Sequence, residues 1–180
     1  MDEILEFWFG STDLLATPPA AVQARWFRPD PAFDREIADR FGSVMETRVE
    51  SWCTTPAGAL AATIVLDQFP RNVHRGDARA FVSDARARAV ADAAVTAGWD
   101  ANLGMHQRLF LYLPFEHAED LAYQERSLRL VRALGDPRYL AYAEQHHAAI
   151  VQFGRFPGRN EALGRVDTPA EAAWRKSQLP

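Results

Sequence analysis

An all-α chain is what this sequence predicts, from three observations. Helix-start punctuation recurs, apolar residues return at helical spacing, and bounded strand-like alternation is missing. The punctuation pairs a capping side chain with proline at the next position: Thr17-Pro18, Asp30-Pro31, Thr55-Pro56, Asp136-Pro137 and Thr168-Pro169. The cap oxygen accepts an N–H that has no intrahelical partner, and proline lacks only an N–H that would have gone unused there. Thr168-Pro169-Ala170-Glu171 also reads as a capping box, with Glu171 able to reach back to the cap amide.

Taken in order, Phe33, Ile37, Phe41, Val44, Met45 and Trp52 recur mainly at steps of three and four, which predicts an amphipathic surface helix. From Ala57 to Leu66 nearly every residue is apolar or small, as in a buried central helix. Further helices are expected from about Arg79 to Ala97, closed by Gly98, and from about Glu116 to Leu134, closed by Gly135. A last long one runs from Pro137 to Phe153 and stops at Gly154. Leu109 to Pro114 is the one stretch ambiguous between helix and strand. Six to eight helices with short connections imply a compact array of antiparallel helical hairpins, and 180 residues with 48% apolar content suit one domain, 1–180. Disorder is expected only in the last few residues.

Composition excludes several function classes. The formal charge is −4, and of the twenty basic residues only Lys176 is a lysine. An acidic chain without a basic stripe is a poor nucleic-acid binder, because neutralising phosphates needs clustered positive charge. The start Met1-Asp2-Glu3-Ile4 is acidic where a signal peptide would be basic, and no apolar run approaches the roughly 20 residues of a membrane span, so no membrane partner and a cytoplasmic location are expected. A lone Cys53 rules out an internal disulfide framework, and no histidine is near it in sequence to activate the thiol.

The chemistry-bearing residues fall in three places. Asp67-Gln68-Phe69-Pro70-Arg71-Asn72 and Gly154-Arg155-Phe156-Pro157-Gly158-Arg159-Asn160 echo each other: each follows an apolar helix, which Phe-Pro is expected to stop, and each then presents Arg and Asn. With Arg75 and Arg165, five guanidiniums fall in two short segments. The candidate ligand set is Asp67, Arg71, Asn72, Arg75, Arg155, Arg159, Asn160 and Arg165, for a small carboxylate or phosphate gripped by planar forks. A second reading has the arginines hold helix C-terminal carbonyls and pair with Asp67, Glu116 or Asp167, with no ligand involved. The third place is Leu113-Pro114-Phe115-Glu116-His117-Ala118-Glu119-Asp120, read as a helix start carrying carboxylates in its first turn. Glu116 and His117 are the candidate acid–base pair, with Glu119, Gln124 and His146 as additional site residues.

A metal-dependent enzyme using His117, His146 and carboxylates is an alternative, since Glu144-Gln145-His146-His147 contains Glu-x-x-His. A di-iron bundle would need a second such motif, which the sequence lacks, so no metal site and no cofactor are assigned. A peptide- or protein-interaction module is the other alternative.

Phe7-Trp8-Phe9-Gly10, Trp26-Phe27, Leu66 to Asn72 with Arg75-Gly76, Tyr112-Leu113-Pro114 with Glu116-His117 and Glu119, and Phe153 to Pro157 with Arg159-Asn160 and Leu163-Gly164-Arg165 together resemble the bacterial domain-of-unknown-function family 924 over essentially the whole chain. The resemblance implies a tetratricopeptide-like helical fold, and it brings no activity or site residues with it. Gly158 stands where that family typically has His, and Ala118 where it typically has Ser. A mechanism that needs the loop histidine could not run here.

Overall fold

In the computed structural model, which describes residues 1–177, the described residues form α-helices, 3-10 turns and one π-helical turn, with no strand. The helices are α1 (Asp2–Phe9), α2 (Ala20–Trp26), α3 (Pro31–Met45), α4 (Pro56–Thr63), α5 (Phe69–Val73), α6 (Asp84–Thr96), α7 (Met105–Glu116), α8 (Leu121–Arg132), α9 (Pro137–Phe153) and α10 (Pro169–Ser177). The π turn Ile64–Gln68 joins α4 to α5, so nine rods stand among the described residues, slightly more than the six to eight expected. The expectation of a disordered end concerns the last few residues, and of these 178–180 lie outside the described residues.

Four of the five cap-proline signals sit at the helix starts they predict. Asp30 accepts from the backbone N–H groups of Ala32 and Phe33, Thr55 from Gly58, and Asp136 from Arg138. Thr168 and Glu171 close the capping box in both directions, at 3.2 and 2.7 Å. Thr17-Pro18 is the exception: α2 begins at Ala20 behind Pro19. A residue that precedes proline is pushed out of the helical region, so Pro18, followed by Pro19, cannot open a helix.

Three further expectations are corrected. Leu109 to Pro114 is helical, inside α7; Leu109 to Phe115 are buried all round, and a segment buried on every side carries no period to read. Phe69-Pro70 does not stop the first helix, which runs on to Val73. Pro70 would collide with the carbonyl four residues back, and the wider π turn, closed by the Phe69 N–H on the Ile64 carbonyl, relieves that collision. Glu116 does not open a helix either: it is the last residue of α7, and α8 starts after Asp120, which caps Ala122 and Tyr123.

The chain divides into two compact units. The first comprises Met1–Arg75 and Arg79–Pro114, the second residues 76–78 and the described residues from Phe115 on. In the first unit α1 and α6 pack on α4, and α3 on α5, around Trp8, Phe9, Phe41, Phe69 and Phe110, all nearly or fully sealed from solvent. Their rings meet at 5.1–5.8 Å, stacked for Phe41–Phe69 at 5.1 Å and edge-on for Trp8–Phe110 at 5.4 Å. Buried on all its faces, α4 is the central helix the composition predicted. Gly58 is required in it, because a Cβ there would land on the Trp52 carbonyl oxygen. In the second unit α8 and α9 form a hairpin, and a small apolar cluster of Ala149, Ile150 and Phe156 lies under the loop after α9.

Candidate functional site

In the first unit the Asp67–Arg75 segment is a closed network. Arg71 Nη1 donates to the Asp67 carbonyl at 2.7 Å and lies 3.1 Å from its carboxylate, while Nη2 reaches Asp84. Arg75 grips Asp34 with two parallel bonds of 2.7 and 3.0 Å and donates to Asn72 Oδ1. Asn72 Nδ2 in turn holds the Gln68 carbonyl, and Gln68 Nε2 holds the Asp67 carboxylate at 2.6 Å. Both guanidiniums of this segment are therefore matched by carboxylates of the same unit. Asp34 and Asp84 lie 41 and 13 residues away from their arginines in the chain, and nothing in the local sequence marked them as partners.

The second unit repeats the pattern at Arg155 and Arg165. Arg155 makes a fork with Glu171 at 2.6 and 2.8 Å. Its hydrogen bonds, with the Thr168 N–H, hold the Glu171 carboxyl down at about 2. Arg165 forks onto Glu119 at 2.9 and 2.8 Å. Burial would raise the Glu119 carboxyl, but the Arg165 fork and the Phe156 N–H outweigh it and leave the group below its ordinary value. Asn160 is fully buried, with Nδ2 donating to Asp167 at 2.7 Å.

Arg159 Nη2 donates to the His117 carbonyl at 2.9 Å and its guanidinium lies 4.6 Å over the Phe156 ring. The Phe156 ring meets His146 edge-on at 5.4 Å, and the His117 and His146 rings are 6.2 Å apart. Glu116 completes the group: its carboxylate, in a residue only 4% exposed, lies 3.3 Å from His146 Nδ1. Glu116, His117, His146, Phe156 and Arg159 thus form one cluster inside the second unit. Sequence adjacency suggested Glu116 with His117; Glu116 is the last residue of α7 and His117 lies in the turn after it. Folding also brings the His146 imidazole of α9 to Glu116.

The cluster has a defined proton arrangement. His146 Nδ1 is 2.9 Å from the Tyr142 carbonyl and 3.3 Å from the Glu116 carboxylate. Both are acceptors, so in the neutral ring the proton must sit on Nδ1, and Nε2 carries the lone pair. Glu116 sits at a helix C-terminus, where the dipole disfavours an anion, and an imidazole N–H beside it offsets that cost. Among the described residues no group of three or more His, Cys, Asp or Glu is placed to hold a metal ion. The described helices include none long and apolar enough to cross a membrane.

A family model described as a bacterial protein of unknown function, DUF924, matches residues 4–178. The chain belongs to the DUF924 family. A solved structure of the Agrobacterium tumefaciens protein of unknown function ATU0120 is similar to this DUF924 chain at 37% identity and a TM-score of 0.87, over 97% of this chain and 96% of that one. No curated protein matches it.

Proposed function

We propose that this DUF924 protein binds a small oxyanion, a carboxylate or a phosphate, against His117, His146 and Arg159, and that His146 Nε2 accepts a proton from what binds there. The observation that carries this reading is the placing of His146 Nδ1 against a buried acid and a backbone carbonyl, the relation that orients a general base. Arg71, Arg75, Arg155 and Arg165 serve as framework in this reading. Their carboxylate partners already use the fork geometry an anion would need, and they fix the two loops in place. Arg159 brings the positive charge to the two imidazoles.

Nitrogen-detected imidazole spectra, recorded while inorganic phosphate or acetate is added, test the proposal. Expected are a neutral His146 protonated on Nδ1, shifts of the His117 and His146 rings with at least one anion, and loss of that response in Arg159→Met at unchanged thermal stability. Response to one anion alone identifies the ligand class. A His146 ring protonated on Nε2, or rings indifferent to both anions, overturns it.

A further inference from the structure

Gln124 and Ser127 lie three positions apart on α8, hence on one face of it, and are 0% and 1% exposed. The Gln124 amide cannot be turned around. Its Nε2 donates to the Glu116 carbonyl at 2.6 Å and to the Ala118 carbonyl at 2.7 Å, and two carbonyls can only accept. Its Oε1 is therefore an acceptor pointing away from them, buried and without a protein donor. Ser127 Oγ is buried with no protein partner either. A folded protein of marginal stability seldom leaves two such atoms unmatched on one helix face.

We propose that Gln124 Oε1 and Ser127 Oγ seat one ordered water molecule, which donates to Oε1 and bonds the Ser127 hydroxyl. A sealed location suits water over a larger ligand, and two polar contacts already meet the lower limit for a buried water. The seat has a consequence for the turn at Glu116–Ala118. The same amide that takes the water holds both carbonyls flanking His117, so the water completes the bonding of the side chain that shapes that turn. This inference stands whether or not an oxyanion binds at His117.

A crystal structure fine enough to place solvent is expected to show a density peak within about 2.7–3.0 Å of both oxygens. Ser127→Ala removes one of the water's two partners and is expected to lower the melting temperature by roughly 2–4 °C. If the hydroxyl were simply unmatched, deleting it would raise the melting temperature instead. A dry map, a Ser127 hydroxyl turned onto a backbone carbonyl, or a stabilised Ser127→Ala each overturns the proposal.

Discussion

Truncating Phe69 to Ala should cost far more than truncating Phe156 to Ala, although the two rings occupy matching positions in the two echoing motifs. Phe69 is 0% exposed and touches the rings of Phe7, Trp8 and Phe41 at 6.3, 5.8 and 5.1 Å. A buried Phe removes at least about 150 Å² from water, of which an Ala methyl keeps a minor part, so the transfer loss is about 3 kcal/mol at ~25 cal/mol per Å². Three rings wall the space left behind, it cannot collapse easily, and the total should reach about 4–5 kcal/mol. Phe156, at 9% exposed, packs on Ala149 and Ile150 with His146 and Arg159 over its ring, at a rim that can close. There about 2 kcal/mol is expected. Urea unfolding of both variants measures the difference, and equal losses, or the larger one at Phe156, would refute this account of the core.

Three other outcomes follow from the geometry. Glu171 is held near 2 in the fold, below its unfolded value, so its contribution is present above about pH 4.5 and is lost as pH falls toward 2. An acid urea series should show Glu171→Gln less stable than the native chain at pH 6, with the gap closing across that window. Glu50, held at about 2 by its fork with Arg86, shares the window but is 41% exposed, so Glu50→Gln should cost under about 1 kcal/mol and less in high salt, read from unfolding midpoints at two ionic strengths. Gly58→Ala, which helix propensity favours by about 1 kcal/mol, should destabilise α4 instead because its Cβ meets the Trp52 carbonyl; a raised melting temperature would contradict the packing described.

The helical class and four of the helix starts were legible because caps, prolines and apolar spacing are local signals. The misreadings arose where a neighbour or a tertiary contact decided. Pro19 moved the start of α2, burial on every side erased the period of Leu109 to Pro114, and a single wide turn carried the helix through Pro70. The candidate site was legible as residue types. Arg, Asn, Glu and His were marked, but the arginines' partners were not, because Asp34, Asp84 and Glu171 become partners only through folding. His146 stood out only for its Glu-x-x-His spacing. Its link to Glu116 spans 30 residues and depends on α9 folding back along α8, which no local motif announces.

The wide turn at Ile64–Gln68 sets the angular phase of everything that follows it on the rod. An α-helix advances about 100° per residue, and the extra residue held in that turn swings Arg71 and Asn72, and with them the turn that carries Arg75, round the axis relative to an unbroken helix. Losing a single residue there would close the rod into ordinary helix, bring back the Pro70 collision, and turn Arg71 away from Asp84 and Arg75 away from Asp34 together. The number of residues between Leu60 and Arg71 thus sets both ion pairs at once.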